Sequence, residues 1–476
     1  MTGERRAGTP NPLLMTDSYK ASHARLYPPG LTRLFGYLEA RGGAYPETVF
    51  FGLQPYLERY LSGPVFDAAD IEEAEAFWTA HFGRADVFDP ARWRALLQRH
   101  GGRLPLRIRA VPEGTVVPID NVLMTIENTD DGFPWLPGWF ETLLLKVWYP
   151  CTVATQSRAI RQAIGAAYAR TGADPAGLGF ACHDFGYRGV SSEETAEFGA
   201  AANLLSFDGT DTVAGIRMLA EFYDGGMSGF SIPATEHSVI CAWGRDREED
   251  AYRWVLETFP AGTVACVSDS YDVFNAIADL WGEDLRPMVL AREGTLVIRP
   301  DSGDPFAIVP WALEALWERF GGTTNERGYR LLDPRVRLIQ GDGMGLDTIG
   351  PLYDLIAERG WSAANLTVGS GGALLQKVHR DTCQFALKAS EVTVGGRTYG
   401  AAKDPVTDPN KRSKNGRLKL VRTADGGWGT VSSLEDPDRY DAARDELMTV
   451  FEDGAVTRRW TLAEVRERVR SAAGSP

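Results

Sequence analysis

GTLVIRPDSGDPFAIVPWALEALWERF, residues 294–320, opens with an apolar run, turns through a short polar motif and continues with apolar residues at helical spacing. The same design recurs seven times between His183 and Gly372. The polar motifs are HDFGYRG (183–189), GTDT (209–212), PATEHS (233–238), SDSYD (268–272), RPDSGD (299–304), QGDG (340–343) and GSGG (369–372). Counted from His183, Thr210, His237, Asp269, Arg299, Gly341 and Gly369, successive motifs lie 27 to 42 residues apart, close to the size of a strand-plus-helix unit. The pattern predicts parallel strands joined by helices. When such strands close into a barrel, their C-terminal ends surround one site, and polar residues there read as functional. The expected fold is therefore α/β, an irregular (β/α) barrel of about seven parallel strands with one polar mouth.

Outward from this repeat the pattern changes. RLPLRIRAV (103–111) and NVLMTIEN (121–128) read as strands around the turn PEGTVVP, and IEEAEAFWTAHFG as a helix ending at Gly83. Trp135 to Tyr168 reads as two helices broken at Pro150. After Gly372, FALKASEVTVGGRTYG predicts a hairpin and KDPVTDPNKRSKNGR a loop. RLKLVRT, WGTVSS and ELMTVFEDGAV follow as short strands, then a helix from Thr461 to about Ala472. The expected organisation is a tail over 1–10, a flanking α+β domain from 11–150 plus 385–467, and a barrel over 151–384.

Composition narrows the class of protein. With 44% hydrophobic and 24% charged residues the chain matches an ordinary soluble enzyme, and no apolar run approaches the ~18 residues that cross a bilayer. The start, MTGERRAGTPNP, has no apolar signal core, so the cytoplasm is the expected compartment. A net charge of −14 argues against nucleic-acid binding. It leaves room for a small anionic substrate, because Arg188, Arg299, Lys377 and Arg380 lie in or beside the motifs. Five scattered cysteines without a CxxC pair fit reduced, buried thiols.

GSGG sits where a strand turns into a helix, a place where backbone N–H groups can approach a phosphate, although a tight turn alone also calls for glycine. Neither a P-loop nor a dinucleotide fingerprint is present. Asp184, Asp211, Asp269, Asp301 and Asp342 each end a strand-like run, where they could meet a magnesium ion, a ribose diol or an amide. Capping of the next helix is the plain alternative. His237 follows Glu236 and should face Asp269, which could hold one ring nitrogen and leave the other as nucleophile or base. Phe185, beside Arg188, offers a face for a flat heterocycle or simply packs in the core.

Taken in order, NPLLMTDSYK (11–20), HDFGYRGVSS, GTDTVAG, ATEHS, VSDSYD, IRPDSGD, IQGDG, GSGGALLQK and KDPVTDPNKRSKNGR make the chain resemble the nicotinamide phosphoribosyltransferases, type II phosphoribosyltransferases of NAD salvage. The resemblance runs to about TRRWTLAEVRE (457–467). It implies transfer of 5-phosphoribosyl from phosphoribosyl pyrophosphate to nicotinamide, with Mg2+ and with ATP hydrolysis coupled through a phosphohistidine at His237. By the same resemblance Asp269 would orient His237, Phe185 and the neighbouring subunit's Tyr19 would sandwich the base, and Asp211 would accept from the carboxamide. Arg299 would approach the carboxamide and ribose. Asp301, counted with His237 and Asp269 as catalytic, would hold ribose hydroxyls with Gly341 and Asp342. Arg188, Gly371, Gly372 and a neighbouring Arg380 would hold the 5-phosphate, and Arg41, Lys403, Lys411 and Arg412 the pyrophosphate and ATP phosphates. Which carboxylates hold the metal is left open. Sharing of Tyr19 and Arg380 implies a homodimer. Thr235 stands where these proteins usually have alanine, and the GGAYPET segment after Arg41 is shorter than in vertebrate members. Nicotinate phosphoribosyltransferase is the alternative reading, since a carboxylate at 211 is the feature that separates an amide from an acid. A non-catalytic binding or signalling protein on the same scaffold is a distant one.

Overall fold

The computed structural model describes residues 10–403, 405–407 and 412–472. The tail expected over 1–10 therefore lies outside the described residues except for Pro10. The chain divides into two compact units, one comprising the N-terminal part to Thr152 with His379–Arg468, the other Val153–Val378 with the end of the last helix.

The second unit carries the repeat. Six parallel strands, Gly209–Thr210, Cys182–Asp184, Leu366–Ser370, Val336–Gln340, Leu296–Arg299 and Val264–Val267, pair in that order. The Val264–Val267 run is buried throughout, as expected for a strand covered on both faces. Residues 230–235 join the two edge strands through single bridges, Gly209 to Phe230 and Ala234 to Ala265. The curl thus has six regular strands and one irregular stave where seven strands were expected. Pro233 supplies the reason, since proline has no N–H to give to a ladder. Helices follow the strand ends, among them Glu193–Asn203, Val213–Phe222, Pro305–Phe320 and Leu346–Glu358. Asp304 caps the third of these by accepting from Phe306 N.

The first unit is built on a seven-stranded antiparallel sheet in the order Arg397–Gly400, Phe385–Val394, Leu31–Ala40, Asn121–Asn128, Leu106–Ala110, Met448–Glu452 and Ala455–Val456. The predicted hairpin after Gly372 is the pairing of its first two strands. The helix Ala68–Phe82 ends on Gly83 at φ 67°, a left-handed cap that suits glycine. Two expectations change. Inside PEGTVVP, Val116–Pro118 is itself a strand, paired with Glu47–Val49 across a long sequence gap. Pro150 does not break a helix but lies in the first turn of Trp148–Thr171, where a missing N–H removes no intrahelical bond. Among the described residues no helix is long and apolar enough to cross a membrane.

Candidate active site

The inward face of the curled sheet begins with Ala265, Val297 and Ile339, a buried apolar cluster on which Phe185 packs. Side chains on a strand repeat every two residues, so Arg299 and Gly341 continue the same face towards the strand ends. Arg299 grips Asp301 with both arms of its guanidinium, Nε to Oδ1 at 2.9 Å and Nη2 to Oδ2 at 2.8 Å. Its Cζ lies 4.9 Å from the centroid of the Phe185 ring. Two glycines make this packing feasible. A Cβ at Gly341 would stand 2.7 Å from Asp301 Oδ1, and one at Gly369 would overlap the Phe185 ring. The first glycine of GSGG therefore serves the aromatic ring, while a Cβ on Gly372 would meet nothing within 4 Å.

Of the strand-end carboxylates, Asp184 is taken up by the turn itself. It is fully buried and accepts from Gly186 N at 2.7 Å and Thr210 Oγ1 at 2.9 Å; burial raises its pKa against the pull of those hydrogen bonds. Asp211 does not cap the next helix. Its Oδ1 accepts from His183 Nε2 at 3.0 Å and from Ser231 Oγ at 2.5 Å. Burial works against its charge, but these two donors, with Arg299 nearby, hold its carboxyl below the usual aspartate range. The His183 ring also leans on Phe185, with centroids 4.9 Å apart.

His237 opens the short helix His237–Cys241, and its Nε2 lies 2.9 Å from Asp269 Oδ1. Only 3% of the Asp269 side chain is exposed against 48% of His237. A carboxylate accepts, so the neutral ring carries its proton on Nε2 and presents the Nδ1 lone pair. Glu236, alongside, accepts from Ser238 Oγ at 2.5 Å and pairs with the exposed Arg188 at 3.4 Å.

Phe185, Arg188, Asp211, His237, Arg299 and Asp301 line one cavity of about 1030 Å³. Asp342, Gly371 and Gly372 stand at the ends of two strands of the same sheet, Asp342 exposed to solvent. Ser231 and His183 complete the Asp211 cluster. Ser231, in the irregular stave, lies before the polar motif that begins at Pro233 and ends no strand, whereas His183 is visible as a strand-end residue.

In the first unit Arg41, Arg380, Lys403 and Arg412 line a second cavity, about 770 Å³, together with Lys388. Arg380, expected beside the 5-phosphate, thus shares its surroundings with the pyrophosphate candidates; Lys411 lies outside the described residues. Lys388 sits inside the strand Phe385–Val394, where an in-strand lysine among apolar neighbours was the available signal. Burial lowers its pKa, Glu141 opposes this, and Arg41, Lys403 and Arg380 add to the lowering. Arg41 donates Nε to Glu39 at 2.7 Å, and its buried Nη2 has no acceptor among the described residues. A cluster of this kind suits a polyanion. Tyr19 is 57% exposed in the same unit. Among the described residues no group of three or more His, Cys, Asp or Glu side chains is placed to hold a metal ion.

Residues 180–455 match the family model of the nicotinate phosphoribosyltransferase (NAPRTase) family, and residues 11–108 that of the nicotinamide phosphoribosyltransferase N-terminal domain. The chain is 48% identical to a nicotinamide phosphoribosyltransferase of Xanthomonas campestris pv. campestris over 97% of its length and 98% of the relative. It is 32% identical to one from Acinetobacter baylyi over 96% and 97%. Among solved structures, nicotinate-nucleotide pyrophosphorylase from Pyrococcus furiosus shares the fold at a TM-score of 0.59 and 17% identity, covering 96% of this chain and 94% of that one. Human nicotinic acid phosphoribosyltransferase does so at 0.53 and 16%, covering 96% and 93%.

Proposed function

The chain belongs to the nicotinate phosphoribosyltransferase family, and from that membership we propose that it transfers the 5-phosphoribosyl group of phosphoribosyl pyrophosphate to nicotinamide. The products are nicotinamide mononucleotide and pyrophosphate, a step of NAD salvage. The observation that carries the choice of base is Asp211. Both of its protein donors fall on Oδ1, which leaves Oδ2 to accept from a carboxamide N–H₂. Nicotinate would bring a second carboxylate to the same place and be repelled.

The remaining roles follow the chemistry of transfer. The pyridine nitrogen attacks the anomeric carbon as pyrophosphate leaves, through an oxocarbenium-like state, so the protein's work is positioning and support of charge. Phe185 supplies one stacking face and Tyr19 of the neighbouring subunit the other. Arg299 reaches the carboxamide and ribose, and Asp301, Gly341 and Asp342 hold the ribose hydroxyls. Arg188, Gly371, Gly372 and Arg380 from the neighbour hold the 5-phosphate, while Arg41, Lys403, Lys411 and Arg412 take pyrophosphate or ATP phosphates. Magnesium binds chiefly through substrate phosphates plus one or two carboxylates, for which the exposed Asp342 is suited, and when bound it neutralises the departing pyrophosphate. ATP is a second substrate: Nδ1 of His237 takes its γ-phosphoryl group, ADP leaves, and water later releases phosphate from the ring. The active unit is a homodimer working in the cytoplasm.

Steady-state rates with each base, with and without ATP and Mg2+, test this reading. Nicotinamide should exceed nicotinate in kcat/KM by at least ~10-fold, a modest figure for one charged hydrogen bond, and Asp211→Ser should shift the ratio towards nicotinate. Equal efficiency of the two bases in the wild type would overturn it.

A further inference from the structure

We propose that Thr235 is a positioning residue for the His237–Asp269 pair, its hydroxyl extending the hydrogen-bond ladder between the irregular stave and the strand Val264–Val267. The rungs run in order towards the cavity. Ala265 N donates to Pro233 O at 2.9 Å, and Thr235 N donates to Ala265 O at 3.1 Å. No further backbone rung joins the two segments among the described residues. The next donor, Val267 N, instead reaches Thr235 Oγ1 at 2.9 Å. A backbone carbonyl fills that place in a regular parallel ladder; here a side chain does. The hydroxyl's own proton points to the buried Cys266 Sγ, 3.6 Å away, which settles the rotamer.

Two residues beyond Thr235 stands His237, and two beyond Val267 stands Asp269, joined at 2.9 Å. Thr235 is thus the last tie before the pair, and it sets the register in which imidazole and carboxylate meet. Val267 is buried, so loss of the hydroxyl leaves its N–H without an acceptor in a place water does not readily reach, and the stave is free to shift.

The test compares wild type with Thr235→Val, which keeps the shape without the hydroxyl, Thr235→Ala, which asks for no extra space, and Thr235→Ser, which keeps the hydroxyl. Nitrogen-15 NMR of histidine-labelled protein, with His237→Ala identifying the signal, reads the tautomer of His237 directly. The wild type and Thr235→Ser should show a single Nε2–H tautomer, and the valine and alanine variants a mixture. Labelling from γ-³²P-ATP is the second readout, and this arm alone rests on the phosphohistidine reading. The valine and alanine variants should incorporate acid-labile phosphate at least about tenfold more slowly, as for a reacting group displaced by a fraction of an ångström, with serine restoring most of the rate. A wild-type tautomer ratio in the valine and alanine variants, or a serine variant no better than alanine, overturns the proposal. The predicted tautomer response in a wild type that takes no label supports Thr235 and contradicts the phosphohistidine instead.

Discussion

At the scale of single residues, His183 and Ser231 both donate to Oδ1 of Asp211, so on the proposed reading, in which Oδ2 accepts from the carboxamide, they position the group that selects the base. Removing His183 as alanine should lower kcat/KM for nicotinamide about tenfold, the effect of one hydrogen bond to a charged group, while KM for phosphoribosyl pyrophosphate stays within about twofold; steady-state kinetics in each substrate checks this. The sign of the pH effect follows from the direction of the Asp211 shift. Its folded pKa lies below the unfolded value of about 3.9, so the associated stability is fully present above that value and is lost as pH falls through the folded one. The nicotinamide preference should accordingly hold from pH 8 down to pH 5; a ratio that collapses by pH 5 would contradict it. His237→Ala should lose ATP stimulation while retaining slow transfer. Asp211, His237 and Asp269 were legible in the sequence because each ends an apolar run. Ser231 was not, since it lies before the polar motif that begins at Pro233 and ends no strand of its own, and Lys388, whose place among apolar neighbours in a strand was the available signal, was passed over.

Among the elements, the strand-end turns do most to shape the site. Gly369 is required by the ring of Phe185, so Gly369→Ala should push that ring out of the stacking position. Overpacking of this kind costs about 1–3 kcal/mol, and a rise in KM for nicotinamide of about tenfold together with a lower melting temperature is the expected outcome. Unchanged values of both would show that the ring has room to move. The strand–motif–helix units were readable because periods of 2 and 3.6 residues alternate along the chain. The strand Val116–Pro118 was not, because its partner Glu47–Val49 lies far away in sequence and its own residues read as a turn. The stave at residues 230–235 is the intermediate case: its position in the repeat was visible, but its irregular pairing depends on a proline and on a threonine hydroxyl, neither of which periodicity registers.

For the whole molecule, Tyr19 and the basic cluster of Arg41, Lys388 and Lys403 belong to the first unit, and the cavity at His237 to the second. If Tyr19 reaches the base from a neighbouring subunit, a variant lacking Tyr19 and one lacking Phe185 each supply what the other lacks. Co-expressed Tyr19→Ala and Phe185→Ala chains should regain roughly a quarter of the wild-type activity, the share of intact sites expected from random pairing in a two-fold dimer. No recovery, or a monomer by light scattering, would contradict shared sites. Competition between the two bases decides whether the phosphoribosyl transfer is specific for nicotinamide. Purified protein is given phosphoribosyl pyrophosphate, ATP, Mg2+ and equal limiting concentrations of nicotinamide and nicotinate, and the two mononucleotides are separated and quantified at early time. Nicotinamide mononucleotide should appear in at least ~10-fold excess; equal amounts, or an excess of nicotinate mononucleotide, would rule out nicotinamide specificity.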